Sequence, residues 1–322
     1  MKKLLRTITI LIGVFITTIG CQRNKHQDIT IEVNGISFVM KYVEGGTFWM
    51  GEQNEDPKSV NYDESIIGQT NTVHKVTVSS FYIGETEVTQ GLWHAVTGEY
   101  PSYFNGNNHV NESMLEMIRL FDTHYSENIG QYDRDSLPVE NVSWNDIVEV
   151  FLPKLNQLTN LQFRLPTEAE WEFAARGGNY SKGFKYSGSN DLDSVACRIH
   201  LIKEDGTKPV KTKKPNELGI YDMTGNVQEW CSDYYFNFNH NSGYILNFND
   251  SIDPVGPTKG NYHIIKGGDY MCSDWNCAVA NRKSTYDLKH LYNTKSIDDW
   301  LKEESKDKDK NTGFRLVLPI KK

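Results

Sequence analysis

Two cysteines, Cys272 and Cys277, are the residues whose type and spacing are best suited to chemistry. They are separated by four residues in the stretch KGGDYMCSDWNCAVANR. Two thiolates at this spacing can hold a soft metal ion, and two thiols can instead close a short disulfide. A third interpretation is that both are unpaired, with Cys277 serving as a small buried apolar side chain. The spacing alone leaves all three interpretations open.

The N-terminus has the pattern of an export signal. Lys2, Lys3 and Arg6 precede a mostly apolar run over 7–19, which is too short to span a bilayer as a stable helix. The run ends in TIGC, which resembles a bacterial lipobox, so Cys21 is the expected site of lipid attachment. An ordinary secretory signal with an incidental cysteine is the alternative.

This signal sets the expected organisation of the chain. We expect a lipoprotein signal peptide over 1–20, a tether over 21–28, and one folded domain over 29–322 with insertions at 108–136 and 285–311. The lipid would anchor the protein to a membrane without crossing it. The expected location is the periplasmic side, at the outer membrane.

Composition narrows the class of partner. The chain is 38% hydrophobic and 12% aromatic, which is enough for a substantial core. Its formal net charge is -8 and it has no long basic run, which argues against nucleic acid as a partner. Besides Cys21, four cysteines remain in an oxidising compartment, and four cysteines allow three fully paired connectivities.

Local patterns predict short strands and a few helices. The stretch ITIEVNGISFVMKYV alternates apolar and polar residues around Asn34-Gly35, which predicts a β-hairpin. In RLPTEAEWEFAARGG, Thr167 and Glu170 form a predicted capping box at the start of a helix. A second helix is predicted in TQGLWHAVTG, and a third in SWNDIVEVFLPKLNQL, where Pro153 should kink or divide it.

Seven motifs occur in an order that resembles the formylglycine-generating enzyme family, whose members are also called sulfatase-modifying factors. They are EGGTFWMG, ETEVTQGLW, LPVENVSWNDIVEV, FRLPTEAEWEFAARGG, KKPNELGIYDMTGNVQEW, IIKGGDYMC and TGFRLVLP. The resemblance runs from about Phe38 to Pro319. It implies a single compact α+β domain of the formylglycine-generating-enzyme fold, which is C-type-lectin-like and has little regular secondary structure.

The resemblance also implies an activity. Enzymes of this family oxidise one cysteine of an unfolded sulfatase chain to formylglycine, with molecular oxygen and a copper(I) ion held by two cysteines. Cys272 and Cys277 match that pair in spacing and context, so they are the expected catalytic and copper-binding residues, and a cysteine-containing sulfatase-like peptide is the expected partner. Other relatives have the fold without this chemistry, so the alternative is a non-catalytic binding or scaffold lipoprotein whose partner is an envelope protein.

Three residues depart from the pattern of the enzymes that the chain resembles. Asp269 stands where the usual GGSYMC motif has a pocket serine, and Ser273 replaces a histidine that often follows the first cysteine. Gln228 replaces a tryptophan that is common before Glu229. A carboxylate beside thiolates should raise the thiol pKa and oppose metal binding unless Asp269 is itself paired.

The resemblance further implies a calcium loop in DMTGNVQE. Carried over position by position, Asp222 and Glu229 would give carboxylate oxygens, and Gly225 and Val227 would give backbone carbonyls. This is a hard-oxygen set suited to Ca2+. The alternative is that Asp222 and Asn226 cap a turn while Glu229 makes a salt bridge.

Overall fold

The three-dimensional description comes from a computed structural model, which describes residues 27–51, 73–106, 132–198, 206–235, 251–284 and 308–320. The predicted signal peptide, the lipid-attachment residue Cys21 and most of each predicted insertion lie outside these ranges. Within the described ranges, no helix has both the length and the apolar character needed to cross a bilayer.

In the described chain five strands come first, the helices follow between residues 90 and 195, and six further short strands come last, a segregated order that agrees with the α+β class. The strands are β1 (Ile29–Val33), β2 (Ile36–Val43), β3 (Gly46–Met50), β4 (His74–Val78), β5 (Phe81–Gly84), β6 (Gln228–Tyr234), β7 (Ser251–Ile252), β8 (His263–Lys266), β9 (Lys283–Ser284), β10 (Thr312–Gly313) and β11 (Val317–Pro319). The α-helices are α1 (Gln90–Thr97), α2 (Leu152–Thr159), α3 (Glu168–Ala175) and α4 (Leu192–Val195). Short 3-10 turns are Arg134–Ser136 and Gly178–Tyr180, and Asp146–Phe151 is a π-helix.

The first sheet has the strand order β1-β2-β5-β11. Its β1-β2 hairpin turns at Asn34 (φ 49°) and Gly35 (φ 87°), as the sequence predicts. Both residues lie in the left-handed region, which asparagine and glycine tolerate better than other residues. The hairpin prediction is therefore confirmed.

The second sheet, with strand order β10-β6-β8-β9, positions the candidate site. Strand β6 carries the end of the predicted calcium loop, and β8 leads directly into the cysteine loop. Trp230 and Cys231 are consecutive residues of β6, and they are buried in two different apolar clusters. Because successive side chains of a strand point to opposite faces, β6 lies between two halves of the core. A third sheet has the order β3-β4-β7.

Helix α3 is capped as the sequence predicts. The Thr167 hydroxyl accepts a hydrogen bond from the Glu170 N–H (3.1 Å), and the Glu170 carboxylate accepts one from the Thr167 N–H (2.9 Å). The chain leaves the helix at Gly177, whose φ is 88°. This capping box holds a helix whose eight residues are all buried.

Replacing Thr167 by alanine is expected to destabilise the fold by about 1 kcal/mol, because the N-terminal N–H groups of α3 lose an acceptor. Urea denaturation measures this change. Thr30→Ala, on the exposed side of β1, is the matched control and should change stability by less than about 0.5 kcal/mol. Equal effects of the two variants would contradict the capping role.

Pro153 divides the helical stretch, as predicted, and the structure shows how. The π-helix ends at Phe151, and Pro153 lies in the first turn of α2, where a missing N–H costs little. At the other end, the Asp146 carboxylate accepts a hydrogen bond from the Ser143 N–H (2.9 Å), and the Ser143 hydroxyl accepts one from the Asp146 N–H (3.0 Å).

The described ends of the two predicted insertions are hydrogen-bonded to the body of the domain. The Tyr132 N–H donates to the Gly106 carbonyl (3.1 Å), and the Asn141 N–H donates to the Asp309 carbonyl (3.0 Å). The second contact places residues 308–311 against the LPVENVSW segment.

Candidate functional site

The cysteine loop follows β8 and turns sharply at two glycines. Gly267 and Gly268 have φ values of 93° and 70°. A Cβ atom at Gly268 would lie 3.0 Å from the Cys277 Sγ and 3.2 Å from the Cys272 Cβ. Glycine is therefore required at position 268 both for its conformation and for its lack of a side chain.

Cys272 and Cys277 are joined in a disulfide, with their Cα atoms 6.0 Å apart. Of the interpretations that the sequence leaves open, the structure shows the disulfide. Cys277 is fully buried, and Cys272 is 7% exposed. The exposed Met271 and Ser273 flank Cys272, so the outer end of the pair lies close to solvent.

The inner side of the disulfide is apolar. Both cysteines belong to a small buried cluster with Tyr186, Leu192 and Val195. The loop is also hydrogen-bonded to the predicted calcium loop, since the Gly225 N–H donates to the Gly267 carbonyl (3.0 Å). These contacts give two adjacent sulfurs in an enclosed, largely apolar setting.

Cys197 and Cys231 are free and buried. None of the three fully paired connectivities is therefore present. Burial raises the pKa of both thiols well above the ordinary value. The thiolate is the form of cysteine that reacts and binds metal ions. Cys197 and Cys231 are therefore poorly suited to either role.

The Asp269 carboxylate is held inside the cysteine loop. It accepts hydrogen bonds from the Met271 N–H (2.8 Å) and from the Asn311 amide (3.3 Å), and Asp269 is 7% exposed. Burial raises the pKa of this carboxyl, although Lys283 opposes the shift. The Asp269 carboxylate thus has hydrogen-bond partners within the protein. Such pairing is the condition under which Asp269 is expected to be compatible with thiolates beside it.

The predicted calcium loop is a buried turn. Asp222 and Asn226 have φ values of 58° and 62°, and the Lys211 N–H donates to Asp222 Oδ2 (2.7 Å). The other oxygen, Oδ1, has no hydrogen-bond partner among the described residues. Gly225 and Val227 lie in the same turn, and the Val227 N–H donates to the Glu87 carboxylate (3.2 Å).

The Glu229 carboxylate is hydrogen-bonded to side chains that lie outside the predicted calcium loop. Arg315 donates to both of its carboxylate oxygens, each at 2.6 Å, and the Trp171 indole donates to Oε2 at 2.7 Å. Both Glu229 and Arg315 have side chains that are fully buried. A carboxylate that accepts three hydrogen bonds, two of them from a guanidinium, does not fit the expected calcium ligand. This arrangement is the salt-bridge alternative.

No group of three or more histidine, cysteine, aspartate or glutamate side chains in the described ranges is arranged to hold a metal ion. Calcium bound by Asp222, Gly225, Val227 and Glu229 therefore stays a prediction, and in this geometry it would require Glu229 to leave Arg315. Of the two expected carboxylate ligands, Asp222 alone has an oxygen that accepts no hydrogen bond from a described residue.

Two residues that contact this region were not predicted from the sequence. Arg315 is a charged residue inside the apolar run of TGFRLVLP, and that position is a signal of a buried ion pair. Glu87 is fully buried in ETEVT, where burial, Asp222 and Glu229 raise its pKa well above the ordinary value. Nothing local in the sequence links Glu87 to a loop more than a hundred residues away.

Comparisons with known proteins point to one family. The sulfatase-modifying factor enzyme 1-like domain matches residues 37–320. The chain is 36% identical to the chaperone protein LppX of Paenibacillus barcinonensis, over 60% of this chain and 70% of LppX. It is 37% identical to the formylglycine-generating enzyme of Streptomyces coelicolor, over 47% of this chain and 48% of that enzyme. The alignment thus spans about half of that enzyme.

Solved structures show the same fold. Treponema denticola variable protein 1 superposes with a TM-score of 0.67 at 28% identity, over 92% of this chain and 100% of that chain. PvdO from Pseudomonas aeruginosa superposes with a TM-score of 0.59 over 92% of this chain and 100% of that chain, and at 20% identity it supports the fold alone.

Three small sheets, short helices and a glycine-turned cysteine loop define an α+β domain of the formylglycine-generating-enzyme fold. The chain belongs to the sulfatase-modifying factor enzyme 1-like family. The family resemblance and the fold class that the sequence predicts are both confirmed.

Proposed function

We propose that this protein is an exported, lipid-anchored oxidoreductase that uses the reduced Cys272–Cys277 pair, with copper(I), to oxidise a cysteine of a substrate polypeptide. The proposal is carried by the position of the two sulfurs, which are adjacent and enclosed at the family's expected positions. A donor set of two thiolates is suited to copper(I).

The disulfide must open before this function begins, because only a thiolate can bind the metal. Bound copper would then supply the one-electron chemistry with oxygen. The protein provides the remainder: Cys272 and Cys277 as ligands, an apolar cluster that limits water on the inner side, and an outer edge where a substrate can approach Cys272.

The overall conversion balances with a thiol reductant. A cysteine side chain, one O2 and two reductant thiols give an aldehyde, hydrogen sulfide, water and one disulfide. The substrate carbon is oxidised and O2 is reduced to water and the aldehyde oxygen. The expected substrate is an unfolded, sulfatase-like peptide.

Export and anchoring belong to the same proposal. Cys21 would carry the lipid and hold the domain at the periplasmic face of a membrane, with the outer membrane as the expected location. An exported compartment also accounts for the oxidised state of the pair.

The deciding experiment incubates the purified protein with a reductant, copper(I), oxygen and a Cys-x-Pro-x-Arg peptide, and follows the peptide by mass spectrometry. We expect conversion of cysteine to formylglycine, and complete loss of conversion in Cys272→Ser. Cys197→Ser, which changes a buried free thiol, is the matched control and should remain active. Absence of both conversion and copper binding in the wild type would refute the proposal.

A second function, that of a non-catalytic binding or scaffold lipoprotein of the cell envelope, is favoured by one observation. The cysteine pair is oxidised, and as a disulfide it serves to fix the loop 267–277. A similar protein, LppX, is named a chaperone, which fits a binding role. Under this function, Cys272→Ser would lower stability, and neither the wild type nor the variant would convert the peptide.

A further inference from the structure

Four buried polar residues and the half-buried Asp309 lie together at the cysteine loop. We call them the oxygen cluster, which consists of Glu140, Gln228, Asp269, Asp309 and Asn311. Three of its side-chain oxygens are buried and have no hydrogen-bond partner among the described residues: Glu140 Oε2, Gln228 Oε1 and Asn311 Oδ1. The three residues are 0%, 1% and 2% exposed. Buried polar atoms without a partner are rare and costly, so this concentration of them requires an explanation.

The two amide groups are oriented by carboxylates. The Gln228 Nε2 donates to Asp309 Oδ2 (3.2 Å) and to the Thr312 hydroxyl (2.9 Å), and the Asn311 Nδ2 donates to Asp269 Oδ2 (3.3 Å). A carboxylate cannot donate a hydrogen bond when ionised, so each amide must turn its nitrogen towards it. The unpaired atoms are therefore acceptor oxygens.

Backbone hydrogen bonds hold these residues together. The Gln228 N–H donates to the Asn311 carbonyl (2.9 Å), and the Asn141 N–H donates to the Asp309 carbonyl (3.0 Å). Glu140, which precedes Asn141, thus lies beside the segment 309–311. Gln228, in strand β6 of the second sheet, lies beside the same segment. Glu140 Oε1 accepts from the Phe104 N–H (2.9 Å), which leaves Oε2 as its unpaired atom.

The oxygen cluster contains three carboxyl groups. Burial raises the pKa of Glu140 to about 8 and the pKa of Asp269 above its ordinary value, and the nearby Asp309 adds to both shifts. Lys283 is the cation that acts on Asp269. Carboxyl and amide oxygens are typical ligands of a hard cation. A cation bound here would satisfy the oxygens that no hydrogen-bond donor reaches.

Two departures from the enzyme pattern meet in this cluster. Gln228 replaces the common tryptophan and Asp269 replaces the pocket serine, and both are hydrogen-bonded to the segment 309–311. The two positions are 41 residues apart in the sequence. Their shared contact with the segment 309–311 indicates that both substitutions belong to one polar site beside the cysteine loop.

We propose that the oxygen cluster binds a hard cation of the calcium class through Glu140 Oε2, Gln228 Oε1 and Asn311 Oδ1. One carboxylate and two amide oxygens are ligands of the kind that such an ion takes. Since no three acidic, histidine or cysteine groups of the described ranges form a metal site, the amide oxygens are essential to this one. The proposed site shares the segment of Gln228 with the predicted calcium loop, but it uses none of the four ligands expected there, and it does not depend on whether the cysteine pair is catalytic.

The test measures binding of Ca2+, with Mg2+ and Na+ as comparisons, to chelator-treated protein by calorimetry and thermal unfolding. At a hundredfold excess over Kd, a ligand bound only to the folded state should raise the Tm of a chain of this size by about 5 °C. Glu140→Gln keeps the size of the side chain and should weaken binding about tenfold or more. Asn311→Asp adds a carboxylate and should make stability depend more strongly on the cation.

Two further variants make the result decisive. Glu149→Gln makes the same chemical change at an exposed position and should bind as the wild type does. Asp222→Asn tests the predicted calcium loop. If Asp222→Asn abolishes binding while Glu140→Gln does not, the ion belongs to the calcium loop and the proposal is wrong. Absence of binding by all three cations would leave buried water as the partner of these oxygens and would also overturn it.

Discussion

Replacing Arg315 by methionine is expected to destabilise the protein by about 3–5 kcal/mol, because it leaves the Glu229 carboxylate as an uncompensated buried charge. The two side chains form two hydrogen bonds of 2.6 Å each and are fully buried. Arg315 also donates to the carbonyls of Gly84 and Tyr221, both at 3.0 Å. The variant removes a link between β6, β5 and the 222–229 turn.

Urea denaturation measures this loss, and two further variants show its origin. Lys211→Met breaks an ion pair with Glu85 that is partly exposed, and it should change stability by at most about 1 kcal/mol. Glu229→Gln in the Arg315→Met background removes the buried charge and should recover part of the loss. A cost of Arg315→Met no larger than that of Lys211→Met would show that the buried pair does not hold the fold.

The Arg315–Glu229 pair also changes how the loop motif is understood. The sequence has an acidic residue at each end of DMTGNVQE, and the family resemblance makes these two residues the expected carboxylate ligands of calcium. A guanidinium from the C-terminal part of the chain occupies one of those two carboxylates. Since the partners are 86 residues apart, only the tertiary fold could reveal their contact.

Features set by neighbouring residues were predictable from sequence. The Asn34-Gly35 turn, the Thr167–Glu170 capping box and the break at Pro153 depend on contacts within a few residues, and all three are confirmed. Their physical causes are the left-handed turn conformation, the unpaired N–H groups of a helix start and the missing N–H of proline.

The catalytic role of Cys272 and Cys277 stays a prediction, and the sequence left their state open. Their spacing permits the disulfide that the structure shows, whereas the fold determines that Cys197 and Cys231 stay free. The oxygen cluster is a stronger example, because Glu140 and Asn311 come from segments whose contact no local pattern encodes. The residue types can be identified from the sequence, but only the tertiary fold determines which of them come into contact.

Stability is also expected to decline on the acidic side of about pH 4.5, chiefly through Glu172. Burial alone would raise the pKa of this carboxyl, but the Lys266 ammonium and the Arg176 guanidinium lower it from 4.5 to about 2. Because the folded-state pKa is the lower one, this stabilisation is present above pH 4.5 and is lost as the pH falls towards 2. A shift of this size corresponds to about 3 kcal/mol.

Asp233 acts in the opposite direction. Burial and the neighbouring Glu168 carboxylate raise its pKa from 3.8 to about 7, and the opposing effect of Arg282 is too small to prevent this. The folded state therefore binds more protons than the unfolded state between these two values, so stability falls as the pH rises through that window.

The two groups together predict a stability maximum between about pH 4 and 4.5, because the gain from Glu172 ends near its unfolded-state pKa of 4.5 and the loss from Asp233 begins near its unfolded-state pKa of 3.8. Urea denaturation across about pH 2 to 8 measures the profile. Asp233→Asn should reduce the decline above this maximum, to which Glu140 (pKa raised to about 8) and Asp222 (pKa raised to about 6) also contribute. Glu172→Gln should flatten the decline below the maximum, even though this variant is less stable at every pH because Lys266 loses its buried partner. A profile that rises steadily to pH 8 would contradict the role of Asp233, because its buried carboxylate must lose a proton within that range.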